Sequence, residues 1–285
     1  MRGPFETRQL VIDDVRAPAM IGGPATAVTG EAVVFVHGNP DTGSDWQPLM
    51  ERVAEFATVV APDMPGFGGA DKRADQDYTL AGYAAHLGGV IDQLGINRVR
   101  VVAHDFGGPF ALTWAAAHPE RLASITLINT GVLLDYRWHR KAQVWRTPVL
   151  GELFMRASTA RVARWVLRHD NPGLPDEWVE RIAGHLLPGG TKRAVLRLYR
   201  STRREDMDAL VAPLRGRDPD ALVVWGDADV YIPTVQAERQ RRVFPRVRIE
   251  ILPGVGHWAW LEQPERVAEF VVPFLRERVG DPSRC

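Results

Sequence analysis

"VVAHDFGG", residues 101–108, is a β-branched run that ends in a pair of glycines. The run reads as a strand and the glycines as a turn. Asp105 lies between them, with Ala103 two positions before and Gly107 two after. Small residues at those places allow a sharp turn that pushes the intervening side chain out of the sheet. The fold is therefore read outward from a carboxylate at the tip of a strand.

Similar Val/Ile/Leu runs, each stopped by Gly or Pro, occur at 31–38, 57–66, 122–131, 221–227 and 247–254. Each reads as a strand buried on both faces. Stretches with helical spacing, such as "YTLAGYAAHLGGVIDQLG" and "GPFALTWAAAHP", separate most of them. Strand, helix, strand in repetition predicts an α/β, doubly wound, mostly parallel sheet. The alternation fails from 132 to 214, where helix-like segments follow one another with no strand. That predicts a core of 1–131 and 215–285 with a helical cap, 132–214, over the strand ends.

Bulk properties narrow the function. The chain has 285 residues, 45% hydrophobic and 25% charged, with a formal net charge of zero. These values fit an ordinary globular protein and give no footprint for nucleic acid or an anionic membrane. No run approaches the roughly 18 apolar residues of a membrane span, and "MRGPFETRQL" has no apolar signal region. The single cysteine, Cys285, is the last residue, so no disulfide framework or thiolate metal site is expected. No His/Cys/Asp cluster has metal-ligand spacing and no Gly-rich phosphate loop follows a strand, so neither metal nor cofactor is expected. The expectation is a cytoplasmic protein, monomer or homodimer, whose partner is a small hydrophobic substrate.

Ligands of open α/β sheets bind beyond the carboxyl ends of the strands. Four such ends stand out: "HGNP" (37–40), "HDFGG" (104–108), "WGDADVYIP" (225–233) and "GVGHW" (254–258). Taken singly, each has a plain structural reading. Asp105 could cap the helix that follows, Asp229 could serve a turn, and His257 could be a satisfied core histidine. His37 and His104, beside glycine turns, are read as structural.

The order nucleophile, acid, histidine resembles the α/β-hydrolase fold, with "AHDFG" standing where that family has G-x-S-x-G. The resemblance covers nearly the whole chain and is weakest in the cap. Ala103 replaces the first glycine and Asp105 replaces serine. A carboxylate is ionised at pH 7 and needs no base to activate it. Its attack on an ester would give an easily reversed anhydride, whereas attack on an sp³ carbon gives a stable alkyl ester. The branches this resembles are the epoxide hydrolases and the haloalkane dehalogenases. The resemblance implies Asp105 as nucleophile, a neutral His257 as the base that activates water, and Asp229 as its partner. It also implies an oxyanion hole from the backbone N–H groups of Asn39 and Phe106.

Some dehalogenases carry the acid one strand earlier, but the corresponding "LINTG" offers Asn129, which has no charge. For epoxide opening the family supplies one or two cap tyrosines. Tyr199, 30 residues before Asp229, matches the spacing of one, and Tyr136 is the other candidate. For halide release, Asn39 with Trp138 or Trp145 would supply N–H donors. Phe110 and Trp114 join those tryptophans as expected pocket walls. The reading is a hydrolase that forms an alkyl-Asp105 ester, epoxide hydrolase first and haloalkane dehalogenase second. A non-catalytic small-ligand binding protein of the same fold is the alternative of another class.

Overall fold

The computed structural model describes residues 5–279, so Cys285 and the first four residues of the N-terminal stretch lie outside the described residues. Eight strands form one sheet: β1 (Phe5–Ile12), β2 (Val15–Gly22), β3 (Glu31–Val36), β4 (Val59–Pro62), β5 (Arg98–His104), β6 (Leu122–Ile128), β7 (Asp220–Gly226) and β8 (Arg248–Leu252). Their order is β1-β2-β4-β3-β5-β6-β7-β8. From β4 to β8 all pairings are parallel, and the apolar runs of β3, β5, β6 and β7 are buried on both faces.

The sequence reading did not include β1 and β2. They form an antiparallel hairpin that adds β2 to the edge of β4. Asp13 and Asp14 turn the hairpin, both with positive φ (47° and 64°). Aspartate tolerates that region, and a two-residue loop of this kind matches the twist of paired strands. In the sequence the hairpin is masked by charged, outward-facing positions such as Arg8 and Arg16.

Helices α1 (Gln47–Val53), α2 (Leu80–Gln93) and α3 (Gly107–Ala117) flank the first half of the sheet. Between β6 and β7 the chain runs through α4 (Arg140–Arg146), α5 (Leu150–Ala157), α6 (Ala160–Asp170), α7 (Asp176–His185), α8 (Gly189–Ser201) and α9 (Arg204–Arg217). The fold closes with α10 (Val235–Arg239), α11 (Ala259–Glu262) and α12 (Pro264–Arg276). One face of the sheet packs on α2 and α3, where Tyr83 stacks on Phe110 at 4.0 Å. The other packs on α1, α11 and α12, where Trp46 stacks on Trp260 at 4.4 Å. The inserted helices reach both layers: Val195, Leu198 and Tyr199 of α8 join the first, and Leu167 and Ile182 join the second.

The turn that ends β5 depends on close approach of backbone to backbone. A Cβ on Gly107 would lie 2.1 Å from the Val36 carbonyl oxygen, and one on Gly38 would lie 2.4 Å from the Asp105 Cβ. Neither contact can be relieved by rotating a side chain. Gly107→Ala is expected to lower stability by about 2 to 4 kcal/mol, the cost of overpacking rigid backbone, as read from denaturant unfolding.

Candidate active site

Asp105 follows the last residue of β5 with φ 48°, a conformation that costs a non-glycine residue on the order of 1–3 kcal/mol. Its side chain does not cap α3, which has no side-chain cap. Instead Oδ1 accepts the Asn39 backbone N–H at 2.9 Å, and Oδ2 lies 3.5 Å from His257 Nε2. One oxygen is held and the other faces the imidazole.

His257, on the loop after β8, is bracketed on its other side by Asp229, with Nδ1 2.7 Å from Oδ2. Asp229 Oδ1 accepts the N–H groups of Tyr231 and Ile232 at 2.8 and 3.0 Å, and Oδ2 also accepts Asn129 Nδ2 at 2.9 Å. Asp227, the other acid of "WGDADVYIP", accepts the Gly254 N–H and is exposed. The residue passed over for want of charge, Asn129, therefore orients the acid. It follows the last residue of β6 with φ 48°, and its Oδ1 accepts the Gly226 N–H.

Burial opposes charge on all three members, but the ion pairs outweigh it. The pKa values of Asp105 and Asp229 are lowered, and that of His257 is raised to about 10. With both carboxylates ionised, these shifts favour an imidazolium in the resting site, and the ring is neutral only when one of the two charges is removed. Esterifying Asp105 would remove one of the two charges and return His257 toward a usable base.

A second buried acid stands behind Asp105. Asp41 Oδ1 accepts Trp258 Nε1 at 2.9 Å, and Oδ2 faces His104 Nε2 at 3.7 Å, with neither of those two atoms otherwise partnered. His104 Nδ1 contacts the Ile128 carbonyl at 2.9 Å and must donate to it, which leaves Nε2 an acceptor. An acceptor facing a carboxylate calls for a proton on Asp41. Burial, with Asp45 and Asp105 nearby, pushes its pKa up to about 7. His104 stays neutral, burial lowering it to about 3. His37 is likewise tied into the framework, against the Gly38 carbonyl and the Met64 N–H.

Two cavities meet at Asp105. One encloses about 620 Å³ including its mouth and is walled by Phe106, Tyr136, Trp138 and Met207. The other, about 730 Å³, is lined by Asn39, Trp145, Leu167, Leu186 and His257. Asp105, His139, Tyr199 and Tyr231 line both. Phe110 and Trp114, expected as pocket walls, line neither; they face the core between α2 and α3, where Phe110 stacks on Tyr83 and Trp114 on His118. Tyr136 reaches the first cavity, but its hydroxyl donates to the Tyr231 carbonyl at 2.9 Å. Tyr199 is buried, its ring against Phe106 and its oxygen 3.4 Å from Asn39 Nδ2, so its proton has no competing acceptor among the described residues. Burial raises its pKa well above the ordinary phenol value.

The inserted helices also hold the base. Asn171 Oδ1, just past α6, accepts the His257 N–H at 3.3 Å. Asp170 accepts the Tyr231 hydroxyl at 2.8 Å and pairs with Lys141 of α4. No group of three or more His, Cys, Asp or Glu among the described residues is placed to hold a metal ion. Among the described residues no helix is long and apolar enough to cross a membrane.

The family model of the alpha/beta hydrolase fold matches residues 31–264. The chain belongs to that family. As an alpha/beta hydrolase it is 29% identical over 261 residues to 2-hydroxymuconate semialdehyde hydrolase of Pseudomonas putida, covering 90% of this chain and 88% of that one. It is 25% identical over 268 residues to Epoxide hydrolase 3 of Mus musculus, covering 88% of this chain and 72% of that one. Among solved structures, Cfl2 from Burkholderia cenocepacia superposes with a TM-score of 0.82 at 24% identity over 96% of each chain. The family and the fold place this protein among the hydrolases of the superfamily; the relatives carry different chemistries.

Asp41 has a consequence for stability. With its folded pKa near 7 and its unfolded value near 3.8, the folded state holds an extra proton between those pH values. Stability from this group is present below about pH 4 and is lost as pH rises to about 7. Asp41→Asn keeps a donor to His104 without that proton. Over that window wild type should therefore lose stability relative to the variant, by up to about 1.4 kcal/mol per pH unit, as followed by urea unfolding at several pH values. A difference that is flat with pH would mean Asp41 is ionised in the fold.

Proposed function

We propose that this alpha/beta hydrolase opens epoxides to diols through an alkyl ester on Asp105. The observation that carries the reading is Asp105 itself, a carboxylate on the strained turn after β5, with one oxygen held by the Asn39 N–H and the other facing a histidine. The Pseudomonas putida relative is named for a semialdehyde, a carbonyl compound, and a carboxylate is a poor choice of nucleophile for attack on a carbonyl.

In the first step Asp105 Oδ2 attacks one ring carbon. A C–O bond forms, the ring C–O bond breaks, and its electron pair goes to the departing oxygen, which takes a proton from Tyr199. The apolar cavity walls raise the cost of a bare alkoxide, so this donor matters. In the second step His257, relieved of the Asp105 charge, gives up its proton, which by way of solvent restores the Tyr199 hydroxyl, and the neutral ring then takes a proton from water as that water attacks the ester carbonyl. The oxyanion grows on Oδ1, where Asn39 N–H already donates. The Phe106 N–H is the second candidate for that hole, a donor of a kind typically worth on the order of 3 kcal/mol of barrier. The ester breaks, the departing alkoxide takes the hydroxyl proton of the newly formed Asp105 carboxyl, and the diol leaves with one oxygen of Asp105 while solvent oxygen replaces it, which restores the Asp105 carboxylate beside a protonated His257.

A single turnover in heavy-oxygen water should place label in Asp105 and none in the first diol, as read by mass spectrometry. Solvent oxygen in the first diol would overturn the covalent route. His257→Gln should accumulate an adduct on the peptide carrying Asp105, since alkylation does not need the base.

Haloalkane dehalogenation is the second reading, favoured by one observation: Trp145 lines the larger cavity and its Nε1 has no partner among the described residues. Tyr199→Phe separates the two. The change should slow Asp105 alkylation by an epoxide roughly tenfold to a thousandfold and leave alkylation by a bromoalkane near the wild-type rate. Stopped-flow tryptophan fluorescence with each substrate reads both rates. An unchanged epoxide rate beside brisk bromide release would promote the second reading.

A further inference from the structure

The residues shared by the two cavities are Asp105, His139, Tyr199 and Tyr231. An oxygen leaving a carbon attacked by Asp105 arrives at this junction, so each polar group there is a candidate partner. Asp105 is the attacking group. The Tyr231 hydroxyl is committed to Asp170 at 2.8 Å. Tyr136, nearby in the first cavity, donates its proton to the Tyr231 carbonyl and also interacts with the His139 backbone N–H. It acts as a post between two loops and has no proton left to donate. Tyr199 and His139 remain.

His139 carries a constraint that settles which of its nitrogens bears hydrogen. It stands at the N-cap of α4, where Nδ1 accepts the Ala142 N–H at 3.2 Å. An N–H can only donate, so Nδ1 must present its lone pair. Burial keeps the ring neutral, lowering its pKa to about 4. A neutral imidazole with a bare Nδ1 has its single N–H on Nε2. The ring packs against Tyr199 and Tyr231, with centroids 6.3 and 5.3 Å away. Nε2 has no protein partner among the described residues, yet it is not sealed off without one.

We propose that His139, through Nε2–H, is the second donor to an oxygen held at this junction, beside the Tyr199 hydroxyl. The helix cap sets the tautomer, so α4 keeps a neutral donor in the shared cavity wall across the neutral pH range. The assignment rests on the ring-opening reading for its catalytic meaning: two donors share the negative charge as the epoxide oxygen departs.

The test uses an oxygen acceptor that does not react, 2-phenylacetamide, beside the reactive probe styrene oxide. In protein labelled with ¹⁵N-histidine, the His139 resonances, assigned by their loss in His139→Gln, should show Nε2 protonated and Nδ1 bare at pH 7. Adding 2-phenylacetamide should move the Nε2–H signal. His139→Ser retains a hydroxyl to cap Ala142 but is too short to reach the junction. It should weaken the amide about tenfold and slow alkylation by styrene oxide about tenfold to a hundredfold, with hydrolysis of the formed ester unchanged. His139→Gln, whose amide N–H extends as far as Nε2, should recover part of both losses. A protonated Nδ1, a ring signal indifferent to the amide, or wild-type amide binding and alkylation in His139→Ser would overturn the assignment. The ring signals come from unmutated protein, so a misfolded variant does not shield it. Should wild type bind the amide at His139 yet never open styrene oxide, the ring-opening reading falls and the donor assignment stands.

Discussion

One imidazole between two carboxylates organises this molecule. Asp229 and Asp105 approach His257 from opposite edges at 2.7 and 3.5 Å. Each sits at the end of a different strand, so the ion triad exists only when β5, β7 and β8 stand in register. The sheet provides that register through continuous parallel pairing from β5 to β8. Isolated buried charges are costly, and a set of three with further hydrogen bonds to each carboxylate is tolerable. The strained backbone at Asp105 and Asn129 belongs to the same arrangement, since Asp105 leaves its strand toward His257 on the loop after β8 and Asn129 leaves its strand toward Asp229 on the loop after β7.

On the proposed ester route the same arrangement would change role during the reaction. While Asp105 is a free carboxylate, the two charges favour a protonated imidazole. Were Asp105 esterified, only Asp229 would remain to stabilise the charge. The ring would then become available as a base when an ester exists for it to act on, by electrostatics and without movement of the chain.

Much of this was legible in the sequence because it lies in local patterns. Apolar runs stopped by glycine or proline marked six of the eight strands, and the four polar strand ends marked where the chemistry gathers. What escaped depends on contacts between distant segments. Asn129 carries no charge, and nothing local says that its amide orients an acid 100 positions later. Phe110 and Trp114 lie on the helix that follows the nucleophile, yet they turn toward α2, because a helix packed on the sheet shows only its first turn to the cavity. The hairpin at the start of the chain was hidden by alternating charge, the ordinary look of an edge strand with one face in solvent. His139 was passed over because its tautomer is set by a helix cap that exists only once α4 has formed.

The contact from Asn171 to the His257 backbone ties the inserted helices to the catalytic loop. Asp170, one residue earlier, anchors Tyr231, whose own N–H binds Asp229. Swinging α6 away from the sheet, the movement that would widen the larger cavity, must break the first of these bonds and pull on the second. The cover and the base therefore behave as an interlock. The lid cannot lift without loosening the loop that presents the histidine, so an enzyme open to solvent is one in which that histidine is least well aimed.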